Sequence, residues 1–114
     1  MDDLSQFRKG AVELAVLQFL AGREMYGGEL VDLLAGFASL ATSRGTVYPM
    51  LSRLRSAGLV ETTWHESAAG PPRRYYRLTP DGDAARRRRA RAWQELVRDM
   101  QSIAAQSHQE GDES

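Results

Sequence analysis

The sequence of 114 residues predicts one small, mainly α domain with a β-hairpin, ending in a single long helix. Three observations predict it. Apolar residues recur at helical spacing in three successive segments ahead of Gly58. The period then switches to alternation in LVETTW (59–64) and again in RRYYRL (73–78). From Pro80 onward no further proline interrupts a stretch of helix-forming sequence.

Each element follows from its residues. Residues 8–21 carry Val12, Leu14, Val16, Leu17, Phe19 and Leu20, too apolar all round for a surface helix, so a buried first helix stopped by Gly22 is expected. Over 27–38, Leu30, Leu33, Leu34 and Phe37 fall at i, i+3, i+4 and i+7, which gives an amphipathic second helix. Ser43 stands as the N-cap of a third, whose stripe is Val47, Met50, Leu51 and Leu54 and whose end is Gly58. The two alternating runs are separated by SAAGPP, which predicts a hairpin with a long tip at 67–72. Thr79 then caps a last helix with Pro80 at its first position and Asp81 and Asp83 in its first turn, running to about Ser107. Helix, helix, helix, hairpin is the order of a winged helix-turn-helix, in which the third helix enters a DNA groove and the hairpin is the wing. The expected organisation is therefore a winged helix-turn-helix over 1–79, a C-terminal dimerisation helix over 80–107 and a disordered tail over 108–114.

Composition narrows the function classes. A hydrophobic content of 42% fits a globular chain rather than a disordered one. With no cysteine there is neither a disulfide framework nor a thiolate metal site. The opening MDDLSQFRKG is acidic and polar, unlike a signal or transit peptide, and AVELAVLQFLA is too short to cross a bilayer. A cytoplasmic protein without a membrane partner is expected. The two histidines, His65 and His108, have no partners arranged for acid–base work, and no glycine-rich phosphate loop is present, so neither an enzyme nor a cofactor or metal site is expected. Net charge is zero, but its distribution is uneven: between Leu40 and Ala92 eleven arginines face four acids, and the flanks carry the opposite excess. A basic middle between acidic ends suits a polyanion-binding surface on a scaffold that is not itself basic.

Local sequence sharpens this reading. KGAVELAVLQFL, YGGEL, SRGTVYPMLSRLRSAGLV and GPPRRYYRLTPDG, in that order, closely resemble the PadR family of bacterial transcriptional regulators. The resemblance covers roughly residues 9–107 and is similar to the short subfamily with a single C-terminal helix. It implies a DNA-binding homodimer, repression rather than activation, and dimer contacts made by the last and first helices. YGGEL departs from the family pattern at Gly28, where a bulky residue is common; a weaker helix start or looser packing is expected there.

The DNA-contact candidates lie on the third helix and the wing. With Val47, Leu51 and Leu54 facing the core, Arg44, Thr46, Tyr48, Ser52, Arg53 and Arg55 lie around the open side, next to Ser43 at the helix start. Pro49, inside that helix, predicts a local distortion of its first turns. On the wing, Arg73 and Arg77 share one face and Arg74 the other, and Arg73 and Arg74 are the stronger candidates for phosphate or minor-groove contact. The competing reading of these side chains is a solvated helix face and a charge-protected strand edge. A winged helix that binds a protein instead of double-stranded DNA is the rival function, and the basic middle argues against it.

The last helix carries Trp93, Leu96, Val97, Met100, Ile103 and Ala104 as one apolar stripe, which needs a partner; a second copy is the simplest. The family resemblance implies a planar aromatic effector between the two helices, with Trp93, Leu96 and Val97 as candidate ligand-binding residues. The simpler reading is that Trp93 fills the dimer seam. Finally, RRRRAR (86–91) projects over nearly every side of a helix, and Arg87 has Asp83 four residues before it. The run is read as a solvated segment that adds positive field near DNA, with one or two phosphate contacts.

Overall fold

Val12, Val16 and Leu17 of the first helix, and Leu20 just beyond its end, are enclosed, and the rest of the domain is wrapped around them. The computed structural model describes residues 3–113, with side chains placed over 7–107. The elements in order are α1 (Asp3–Phe19), β1 (Met25–Tyr26), α2 (Gly27–Ala35), α3 (Arg44–Ser56), β2 (Val60–Ser67), β3 (Gly70–Leu78) and α4 (Pro80–Glu113). Leu30 and Leu34 of α2 and the stripe Val47, Met50, Leu51 and Leu54 of α3 close over α1, and Met25, Val60 and Tyr76 complete the core from the sheet. Burying each large side chain contributes roughly 1.5–3 kcal/mol, so the rotation of each helix about its axis is firmly set.

Helix ends follow the expected chemistry but not every expected boundary. Gly22 and Gly58 both adopt φ 76°, the left-handed conformation that glycine takes without steric cost, just beyond α1 and α3. The second helix stops at Ala35 rather than 38, so Phe37 lies outside it, half exposed, with its ring 6.3 Å from that of Phe19. The expected continuation of its apolar stripe through Phe37 is therefore corrected by Gly36, where the helix ends.

The sheet has three strands, not two, in the order β1-β3-β2 and all antiparallel. Met25 and Tyr26 pair with Tyr76 and Tyr75 and cover the base of β3. The hairpin tip is also shorter than the expected 67–72. Ser67 pairs with Gly70, which leaves Ala68 and Ala69 as the turn. Pro71 and Pro72 lie within β3, opposite the register shift between His65 and Ser67 and beyond the end of β1, where neither has a paired partner on either side.

The junction of wing and last helix rests on Thr79. Its N–H donates to the Leu59 carbonyl at 3.1 Å and its hydroxyl donates to the Gly58 carbonyl at 2.6 Å. The same hydroxyl accepts the Gly82 N–H at 3.0 Å, which is the cap expected for α4. Gly82 is buried there, and a Cβ on it would lie 1.8 Å from the Leu59 oxygen. The glycine inside this helix is thus a place of close backbone approach. The helix continues to Glu113, past the disordered tail expected over 108–114; Gln109 and Glu110 favour helix and no proline stops it, while Ser114 lies outside the described residues. Gly82→Ala should destabilise the fold by roughly 2–3 kcal/mol, since backbone must shift to admit the methyl group. Thermal melts followed by circular dichroism check this; an unchanged Tm would show that the contact is not tight.

Candidate nucleic-acid interface

Because its buried stripe points inward, α3 turns Gly45, Pro49, Ser52 and Ser56 straight out to solvent. Arg44, Tyr48 and Arg55 follow one flank of that face at i, i+4 and i+11, and Thr46 and Arg53 follow the other. Ser43 has the extended backbone of an N-cap, φ −88° and ψ 164°, but its hydroxyl makes no capping bond. It lies instead 3.5 Å from the Thr46 hydroxyl. The Thr46 and Val47 N–H groups both donate to the Ser43 carbonyl, so those of Arg44 and Gly45 are left at the open helix end. Pro49 lies inside α3, which runs through it without a break. Its missing N–H leaves the Gly45 carbonyl, four residues back, without an intrahelical donor, and both residues are exposed where water can replace the bond.

Three elements meet on the Arg44 flank. A cleft of about 350 Å³ lies between the start of α2, the first turns of α3 and the wing, and Arg44, Tyr48, Trp64, Arg73, Arg74 and the single acid Asp32 line it. Tyr48 is half committed to packing: its ring crosses Gly27 so closely that a Cβ there would lie 2.5 Å from Cε1. The Arg73 guanidinium stacks over Tyr26 at 4.4 Å from the ring centroid, and that of Arg74 over Trp64 at 4.9 Å. The Arg74 Nε is closed off from solvent and has no hydrogen-bond partner among the described residues. Arg77 does not line this cleft; it donates at 2.8 Å to Glu61, directly opposite it in the hairpin. The expected weakness at Gly28 is offset locally, because the Tyr26 N–H donates to the Glu29 carboxylate at 3.1 Å and closes the start of α2. Tyr26, Gly27, Gly28, Asp32, Trp64 and Tyr76 are the lining residues that sequence reasoning did not select. Trp64 had a signal, since it sits directly opposite Arg74 in the hairpin register.

Known proteins place this arrangement. The model of the PadR-like transcriptional regulator family matches residues 16–88. The chain belongs to that family. It is 36% identical over 108 residues to the transcriptional regulator Rv3488 of Mycobacterium tuberculosis (strain ATCC 25618 / H37Rv), covering 95% of this chain and 97% of that one. A PadR-like transcription factor from Bacteroides fragilis superposes with a TM-score of 0.73 at 35% identity, over 87% of this chain and 95% of the other. A PadR-like regulator from Bacillus cereus strain ATCC 14579 gives 0.77 at 30% identity, over 86% and 95%. The protein is accordingly a transcriptional regulator and not an enzyme. No described helix is long and apolar enough to cross a membrane.

In this PadR-like chain the arginine run is partly a structural rivet rather than a free cationic patch. Arg86, only 19% exposed, donates to Asp83 at 2.8 and 3.0 Å and to Gln18 of α1 at 3.0 Å. Arg87 reaches the other Asp83 oxygen at 3.1 Å, and Arg89 donates to Glu13 of α1 at 3.4 Å. Beyond this anchor α4 has no cover among the described residues: Trp93 is 45% exposed, Leu96 50%, Met100 60% and Ile103 56%. Trp93 and Val97 share a shallow cleft of about 240 Å³ with Gln94, Arg98 and Gln101, whereas Leu96 is not part of its lining. The hydrogen bond from Arg86, helped by the charge of Arg87, holds the Asp83 carboxyl below the usual carboxylate range. A depressed pKa means stability that is present above the unfolded-state value and lost as pH falls through the folded-state one. Asp83→Asn should therefore lower Tm at pH 7, and the difference from wild type should shrink as pH falls below the usual aspartate range. A difference that stayed constant as pH fell would contradict the charge-based anchor.

Proposed function

We propose that this PadR-like regulator is a homodimeric repressor whose two third helices read the major grooves of a pseudo-palindromic operator. The observation that carries the reading is the convergence of Arg44, Arg73 and Arg74 from α3 and the wing beside the outward face of one helix. Gly45, Pro49 and Ser52 bring only small side chains to that face, which lets the α3 backbone enter a groove deeply. Ser43, Arg44, Thr46 and Tyr48 then stand at the entering end, with base edges within reach of Arg44 and Thr46, and Arg53 lies further along the same helix. Arg73 and Arg74 contact phosphates, while Arg77 is held back by Glu61 and contributes field only.

The uncovered stripe of α4 supports dimerisation. Along the α1–α4 contact Arg86 meets Gln18 and Arg89 meets Glu13, so the same antiparallel register brings exposed Phe7 level with Leu96. A second α4 laid along that seam buries both. The two Trp93 rings then approach one another, and a planar aromatic effector fits between them in the cleft shared with Val97. Repression follows because a dimer across a promoter excludes the polymerase.

Protection of the DNA upstream of the protein's own gene is the direct test. A footprint with two half-sites is expected. Arg73→Ala should weaken binding by a similar factor on operator and scrambled duplexes, whereas Arg44→Ala should mainly reduce the preference for operator, by roughly 1–3 kcal/mol. Unchanged affinity in both variants would overturn the docking.

A further inference from the structure

The outward face of α3 has two flanks, and the wing attends only to one. On the other, a second cleft of about 310 Å³ opens between α1 and the start of α3, and Arg8, Lys9, Arg53, Thr42 and Thr46 line it above a floor of Val12 and Met50. Among the described residues its lining contains three cations, two hydroxyls and no acid. The Arg8 Nε is closed off from solvent yet has no hydrogen-bond partner among the described residues, an arrangement that costs free energy unless something else supplies an acceptor. Lys9 is exposed, on the turn of α1 next to Arg8. Glu13, outside that lining, offsets only part of one of these charges, its carboxylate being shared between Arg53 at 3.8 Å and Arg89 at 3.4 Å, and Arg8 and Lys9 have no ion pair among the described residues. Glu13 instead holds Arg53 toward α1.

We infer that this α1-side cleft is a second phosphate-binding site, which grips the DNA strand opposite to the one held by the wing. The inference rests on the proposed docking of α3. A helix in the major groove has a sugar–phosphate wall on each side, about 12 Å apart. The Arg44 flank, with Arg73 and Arg74, meets one wall; the Thr46 flank, with Arg53, faces the other, and Arg8 and Lys9 of α1 stand beside it. The chemistry matches a phosphate diester: Arg8 and Arg53 present planar forks, Lys9 a mobile ammonium, and Thr42 and Thr46 hydroxyl donors. Because these groups touch backbone and not base edges, they add affinity and fix register without selecting sequence. The helix would then be clamped from both sides, with its small outward residues between.

The test compares Arg8→Gln/Lys9→Gln, and Lys9→Gln alone, with wild type on two duplexes of equal length, one carrying the footprinted sequence and one scrambled. Circular dichroism melts accompany the binding curves, and Lys9, being exposed, gives a variant whose folding is not at issue. Each lost phosphate contact should lower affinity roughly fivefold near 0.15 M salt and reduce the slope of log K against log salt by about 1, on both duplexes alike. Ethylation interference should lose its signal on one strand only, opposite to the strand affected by Arg73→Ala. If wild type binds with a steep salt dependence and both variants keep affinity and slope, the α1-side site is wrong and the docking of α3 stands. An affinity loss with unchanged slope and lowered Tm would equally overturn it, as a packing effect. If wild type binds neither duplex at low salt, the DNA-binding reading falls and this inference falls with it.

Discussion

Everything on the functional face depends on the burial of one stripe of α3. Val47, Met50, Leu51 and Leu54 are each at most 1% exposed, locked against α1 and α2. Rotating the helix by one residue would bring Arg44 or Thr46 toward the core and expose leucine. The stripe therefore fixes which side chains face outward, which line the wing-side cleft and which line the α1-side cleft. Polar chemistry on the surface is set by apolar chemistry underneath. Gly27 adds a second, local constraint, since only a residue without a side chain lets Tyr48 lie across the start of α2.

Helix α1 links α3, the proposed reading helix, to the rest of the chain. Its inner face supplies the centre of the core, and its outer face carries Glu13 and Gln18, which receive arginines from α3 and α4. Glu13 lies between Arg53 of the reading helix and Arg89, one turn before Trp93. The position of α4 is thus tied to that of α3 through a single carboxylate and a packed helix. In the proposed dimer, any ligand that altered the seam around Trp93 would act on the spacing of two reading helices through this short chain of contacts.

Much of this was legible in the sequence because it rests on periodicity and caps. The α3 stripe, the Thr79 cap and the separation of Arg74 from Arg73 and Arg77 on opposite sheet faces all follow from spacing, and the structure keeps them. What was not legible involved contacts between distant segments. Met25–Tyr26 is too short for alternation to announce a strand, and it is one only because β3 offers an edge. Pro71 and Pro72 look like turn residues locally, and only the register shift opposite them in β2 lets them sit within a strand. RRRRAR looks like a cationic patch until Gln18 and Glu13 are brought beside it from 68 and 76 residues away. The α1-side cleft was missed for the same reason: Arg8 and Lys9 are far in sequence from Arg53, and only helix packing unites them.

In the proposed docking the Gly45–Pro49–Ser52 face of α3 enters the major groove twice, once from each protomer of a two-fold dimer. The chain has no cysteine, so Ser52→Cys gives a unique attachment point for a DNA-cleaving iron chelate. Cleavage of the operator duplex should appear as two clusters related by a dyad, their centres one helical turn apart, about 10–10.5 bp, or a multiple of that. A single cluster would contradict the dimer, and no cleavage while the DNA remains bound would contradict the orientation of α3.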